Sequence, residues 1–129
     1  MKTRYAEVFP YLTRDGSAIR ELMHPAVHGG RNQSLAEAVI PAGDRTQLHF
    51  HRLTEEIYHV TAGSGVMRLG DTQFVIAPGD TILIKPGTAH CVVATGEVPL
   101  HILCSCAPAY SHEDTILVDD DPDSTAKPR

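Results

Sequence analysis

Short apolar runs, each closed by a glycine- or proline-containing turn, leave this chain few places for a helix and many for strands. Segments 17–23, 34–40, 56–61, 66–69, 73–76, 81–84, 91–94 and 100–106 are rich in branched and aliphatic residues, and almost no helical periodicity competes with them. Between them stand Pro41-Ala42-Gly43, Gly63-Ser64-Gly65, Gly70-Asp71, Ala77-Pro78-Gly79-Asp80, Lys85-Pro86-Gly87 and Thr95-Gly96-Glu97-Val98-Pro99. Branched side chains fit a pleated surface, and Gly and Pro supply the backbone angles of tight turns. Gly70-Asp71 reads as a two-residue hairpin turn. Strands this short and evenly spaced predict an all-β sandwich or small barrel.

One strand carries a distinctive chemistry. Side chains alternate faces along a strand and each residue advances it by roughly 3.3 Å, so His49 and His51 in a strand over 46–51 project from one side about 6.6 Å apart. Leu48 and Phe50 take the other side as packing hydrocarbon. Arg52-Leu53-Thr54-Glu55 supplies a turn, and the next strand places Glu56, Tyr58 and Val60 on one face. His90 arrives after the bend at Pro86-Gly87. Three imidazoles and one carboxylate suit one divalent transition-metal ion (iron, manganese, zinc, nickel or copper) and suit calcium or magnesium poorly, since those prefer oxygen shells. A lone His-x-His is common on solvated surfaces; the added Glu56 and His90 make this set more specific.

The spacing also resembles a known family. Gly43, His49, His51, Glu56 and Gly63 match every fixed position of the first cupin motif, G-x5-H-x-H-x4-E-x6-G, and Gly79, Gly87 and His90 match the second, G-x5-P-x-G-x2-H-x3-N. Lys85 stands where that motif has proline and Ala94 where it has asparagine; neither position is a metal ligand in the family. The resemblance implies a double-stranded β-helix (jelly-roll) barrel over about 34–106, with the ion held by His49, His51, Glu56 and His90 near one open end.

A four-ligand site in an octahedral shell keeps positions for substrate, which is what catalytic metals require. The expectation is therefore a small-molecule enzyme: a dioxygenase if the ion is ferrous, an isomerase or lyase if it is zinc, manganese or nickel. Tyr58, sharing parity with Glu56, is the first candidate for the general base, or else packs in the barrel with its hydroxyl on a backbone group. Gln47, sharing parity with both histidines, is a candidate orienting group only, because an amide exchanges no protons near neutral pH. The alternative is a non-catalytic protein that uses the ion to bind or sense a small ligand.

The 129 residues suit a single domain, 1–129, able to bury a core without disulfides. A net charge of -5 with no Lys/Arg cluster argues against nucleic-acid binding. The first residues lack the apolar stretch of a signal peptide and no run reaches membrane-spanning length, which predicts a cytoplasmic protein. Cys91, Cys104 and Cys106 are expected to be reduced; a bridge between Cys104 and Cys106 would strain an extended strand. Residues 1–16 carry Tyr5, Val8, Phe9, Tyr11 and Leu12, too apolar for a free tail, and burial against a second subunit predicts a homodimer. Residues 108–115 are expected to pack over the barrel with Ser111 or Asp114 capping a turn, and the acidic segment 119–129 to be disordered. His59 is expected outside and His101 on either face, with His24, His28 and His112 in loops or on the surface.

Overall fold

The computed structural model describes residues 1–118, so the predicted disordered tail, 119–129, lies outside the described residues. The strands are β1 (Tyr11–Leu12), β2 (Ala18–Met23), β3 (Ser34–Ile40), β4 (His49–His51), β5 (Glu55–Ala62), β6 (Gly65–Leu69), β7 (Thr72–Ile76), β8 (Thr81–Ile84), β9 (His90–Ala94), β10 (Leu100–Ala107) and β11 (Thr115–Leu117). They form two sheets, ordered β1-β2-β3-β10-β5-β8 and β11-β4-β9-β6-β7, and the pairings within each are antiparallel. This is the all-β double-stranded β-helix, or jelly roll, that the turn spacing and the family motifs imply. Among the described residues, helix is confined to one turn at Tyr5–Glu7 and one, α1, at Pro25–His28, with His24 as its N-cap.

Strand register explains why one end of the barrel is apolar and the other polar. On the larger sheet, Val60, Ile102, Ala38 and Ile19 lie side by side across four strands. The next inward row is Ile82, Tyr58, Cys104, Ala36 and Glu21, and the row beyond it is Ile84, Glu56, Cys106 and Ser34. Each two-residue step along the strands therefore exchanges hydrocarbon for thiol, phenol and carboxylate. Ile40, Val60, Met67, Val92, Leu100 and Ile102 are at most 2% exposed, and they close the apolar end as a packed core.

Two glycines fix the path of the chain, one at each end of the barrel. A Cβ on Gly63 (φ 77°) would lie 2.3 Å from the Pro99 carbonyl oxygen, so only glycine lets β5 turn beneath that loop. Gly87 (φ 81°) donates its N–H to His51 O at 2.7 Å, which docks the bend before His90 onto the strand bearing the other histidines. The departure at Ala94 is accommodated by backbone: its N–H bonds Asp44 O and its carbonyl accepts from Gly43 N, both at 2.9 Å.

Three local features differ from the sequence reading. The strand expected over 46–51 is regular only at His49–His51: Thr46 N still bonds Val92 O on β9, but Gln47 N turns to Asp15 O in the β1–β2 turn. β1 and β11 are too short to carry a period of their own. The N-terminal segment docks in part on its own barrel: Thr3 Oγ1 donates to Leu22 O, Tyr5 donates to Glu37, and Arg20 lies 4.6 Å over the Tyr5 ring. Phe9 and Leu12 stay 85% and 75% exposed.

Candidate metal centre

His49 and His90 are directly paired residues on β4 and β9, and His51 follows two places along β4, so three imidazoles share one interior face. Their ligand nitrogens all lie within 4.8 Å of one another, and the three residues are at most 3% exposed. Glu56, brought across by β5, sets Oε1 3.2 Å from His51 Nε2 and 3.6 Å from His90 Nε2. The four residues singled out from the sequence are thus brought together.

Hydrogen bonding fixes which nitrogen faces the centre. His49 Nδ1 lies 2.8 Å from Gln47 O and His90 Nδ1 2.9 Å from Thr88 O; a carbonyl only accepts, so both Nδ1 atoms carry the proton. His51 Nδ1 meets Thr115 Oγ1 at 3.1 Å, and that hydroxyl spends its own proton on Ser111 O, so it too accepts. Each neutral ring therefore turns an Nε2 lone pair inward. His90 Nε2 and Glu56 Oε1 are buried without a hydrogen-bond partner among the described residues, an arrangement that costs about 1–3 kcal/mol per orphaned group. Lone pairs and a carboxylate oxygen cannot satisfy one another; a cation at their shared point satisfies all of them. The residues present fit a divalent first-row ion, with nitrogen donors of the right softness.

Burial, with the facing His90 imidazole, pushes His49 down to about 4 against the opposing pull of Asp15. Burial would raise the Glu56 carboxyl, but the His51 and His90 imidazoles, whenever Nε2 holds a proton instead of an ion, outweigh it and hold the carboxyl down to about 2. Burial keeps the Tyr58 hydroxyl well above its ordinary value, helped by the Glu56 charge, so it stays a phenol that donates and does not act as a base. Its ring stands edge-on to His90 at 5.8 Å. Gln47 serves the site through its backbone carbonyl; its side chain is absent from the cavity lining, where Thr46 appears instead. The face alternation assumed for Gln47 stops at His49, where regular pairing begins. His59 lies outside on Thr81 and His101 bonds Glu37 on the outer side, while His24 caps α1.

Several cavity residues escaped the sequence reading. Asp15, in the β1–β2 turn, places Oδ2 3.7 Å from His49 Nε2. Cys104 and Cys106 face the interior, and Cys106 Sγ donates to Glu56 Oε2 at 3.4 Å. Burial raises both thiols far above their usual value, so they are donors and not thiolates. Replacing Cys106 by Ala is expected to weaken metal affinity about tenfold by loosening Glu56, as loss of an outer partner of a ligand typically does. Titration of chelator-treated protein with zinc checks this, and Cys106→Ser, which keeps a donor, is expected to recover most of the loss.

The loop after β10 packs over the barrel as expected, and Asp114 accepts from Leu53 N and Thr54 N. It also brings Tyr110 to 5.9 Å from the His51 ring. Tyr110, Tyr11 and Glu21 form a wall shared by two spaces. Inside it is a cavity of about 40 Å³ at the metal centre; outside it is a basin of about 400 Å³ lined also by His24, His112 and Glu113. Glu21 Oε2 accepts from Tyr11 at 2.9 Å, while its Oε1 is buried without a partner among the described residues.

A family model described as a cupin domain matches residues 36–106. The uncharacterized protein MJ1618 of Methanocaldococcus jannaschii is 50% identical to this chain over 119 residues, 92% of this chain and 95% of that protein. Among solved structures, the polyketide cyclase RemF from Streptomyces resistomycificus superposes with a TM-score of 0.79 at 21% identity, covering 95% of this chain and 88% of its own. Pac13 from Streptomyces, a nucleoside dehydratase, superposes with a TM-score of 0.76 at 17% identity, covering 96% and 95%. Those two likenesses establish the fold alone. No helix among the described residues is long and apolar enough to cross a membrane. The matched motifs and the family model over more than half of the chain make it a member of the cupin domain family.

Proposed function

We propose that this protein is a metal-dependent enzyme that isomerises, or eliminates from, a small oxygen-rich molecule, with the ion held by His49, His51, His90 and Glu56. The observation that carries the reading is the inward turn of three Nε2 lone pairs around a buried, partnerless carboxylate oxygen. A divalent ion bound there would supply a Lewis acid that polarises a carbonyl or hydroxyl oxygen.

The surrounding residues support proton movement more than oxygen chemistry. Tyr58 beside His90 and Tyr110 beside His51 are phenols on two flanks of the centre, and burial holds Tyr110 up at about 12. With their protons retained at neutral pH, both can donate to a substrate oxygen, and the Tyr110 hydroxyl lies 3.0 Å from His112 Nδ1. Glu21 offers a buried carboxylate oxygen with no donor, so a substrate with a hydroxyl or amine remote from the ion would complete it. Hydroxyls of Thr13, Ser17, Ser34 and Thr46 line the same cavity. The outer basin provides the approach, and the wall of Tyr11, Glu21 and Tyr110 separates it from the centre. That two proteins of this fold are a cyclase and a dehydratase, both non-hydrolytic, is consistent with the choice.

The test has two stages. Elemental analysis of protein purified without chelator or metal-affinity tag is expected to give about one first-row ion per chain. The loaded protein is then offered a panel of hydroxy-ketones and hydroxy-acids in deuterated water, followed by NMR and an oxygen electrode. Deuterium incorporation or loss of water without oxygen uptake is the expected result. Oxygen consumption would assign a dioxygenase instead, and saturable line broadening without product would make the protein a metal-dependent binder.

A further inference from the structure

The proposed ligand set comes from β4, β5 and β9, yet a second acidic side chain approaches His49 from the N-terminal hairpin. We propose that Asp15 Oδ2 is a further ligand of the ion, so that metal binding pins the β1–β2 turn to the barrel. This inference rests on the metal-binding reading above and extends it to a residue outside both cupin motifs.

The geometry begins with the turn itself. Asp15 Oδ1 accepts three hydrogen bonds, from Thr13 Oγ1 at 2.7 Å, Ser17 N at 3.0 Å and Ser17 Oγ at 2.7 Å. Those donors occupy one carboxylate oxygen and fix the plane of the group. The other oxygen, Oδ2, is left toward His49 Nε2 at 3.7 Å, and the side chain is 13% exposed. The turn is tied in place by its backbone as well, because Gln47 N donates to Asp15 O at 2.8 Å two residues before His49.

Distance then says what Oδ2 can do. Two ligands bound at about 2.0–2.2 Å to one ion, with the usual angles between them, are themselves about 3.0–3.6 Å apart. The Glu56 contacts, 3.2 and 3.6 Å, are edges of that size, and Asp15 to His49, at 3.7 Å, lies just beyond it. The His49 nitrogen presents a lone pair, since its other nitrogen holds the proton against Gln47 O. An oxygen and a lone pair at this range repel unless a cation stands between them. Glu56 Oε1 and His90 Nε2, close to His51 and to each other, are themselves without a hydrogen-bond partner among the described residues.

Charge gives the arrangement its consequence. Two carboxylates around a divalent ion bring the buried site to neutrality, which lowers the cost of placing that ion in the interior. Because Asp15 belongs to a hairpin at the edge of the larger sheet, losing the ion also releases that hairpin from the centre.

The experiment titrates chelator-treated, full-length protein with Co²⁺, read by its visible absorption, for the wild type, Asp15→Asn and, as a control in the same turn, Arg14→Ala. Asparagine keeps an oxygen for Thr13 and Ser17 but turns a donor toward the ion. The expected result is stoichiometric binding by the wild type and Arg14→Ala, and about ten- to hundredfold weaker binding by Asp15→Asn, the range seen when groups supporting a metal are removed. In parallel, Co²⁺ is expected to slow amide hydrogen exchange across residues 11–19 of the wild type. Equal affinity for wild type and Asp15→Asn would overturn the role of Asp15. So would exchange that slows around His49 and His90 but not in the turn, a readout that needs no variant to fold. Failure of the wild type to bind Co²⁺ at all would instead remove the metal-binding reading itself.

Discussion

Protein carrying both His49→Ala and His51→Ala is expected to emerge from purification without bound metal while keeping a β-rich circular dichroism spectrum. The magnitude follows from what a full ligand set is worth. If roughly 10–16 kcal/mol is shared over four protein ligands, each contributes about 3 kcal/mol, so losing two weakens binding by about ten-thousandfold or more. The fold does not depend on these rings. β4 is held by its backbone ladder, with His51 opposite Thr115 and His49 opposite Leu117, and alanine preserves that ladder. The packed core of Val60, Met67, Leu100 and Ile102 lies among other rows of the barrel. Metal analysis beside a thermal melt checks both halves of the expectation, and stoichiometric metal on the double variant would mean that the site has been misplaced.

How legible each residue was in the sequence depends on how far along the chain its partners lie. His49, His51 and Glu56 fall within one strand, one turn and the next strand, so period-two alternation and a single turn bring them to one face. His90 is farther off, but the glycine-bounded bend before it is itself a local signal. Cys104, Glu21 and Asp15 are different. Glu21 faces the cavity because it stands opposite Ala36, which stands opposite Cys104, which stands opposite Tyr58, and that register is set by tertiary pairing. A signal was present: Glu21 has the parity of Ile19 and Met23, and an acidic residue on an otherwise apolar face invites a reason. Likewise Thr13-x-Asp15-x-Ser17 has the residues that clamp a carboxylate in a turn. That 108–115 covers the barrel was legible, but not that it sets Tyr110 beside His51, since the loop is placed by Asp114 bonding backbone some sixty residues earlier.

The same inward-facing groups make the metal-free protein sensitive to acid. Burial and the neighbouring His90 hold His49 at about 4 in the folded chain against 6.5 for the free side chain. Between those values the unfolded chain binds more protons than the folded one, so stability is complete above pH 6.5 and falls as pH drops toward 4. The loss from His49 alone amounts to about 3 kcal/mol, a large part of the stability of a domain this size. Glu56 extends the trend: held at about 2 against 4.5, it contributes stability that is present above pH 4.5 and lost as pH falls further. Urea unfolding of chelator-treated protein at pH 7, 5.5 and 4 is expected to show this decline, and His49→Asn, which has no proton to gain, is expected to flatten the first part of it. At pH 7, an ion present at a hundred times its dissociation constant adds about 2.7 kcal/mol. That increment should shrink as pH falls, because protons compete for the same lone pairs. Unfolding midpoints that stay level from pH 6.5 to 4 without metal would show that His49 faces solvent and not the buried centre on which the functional reading depends.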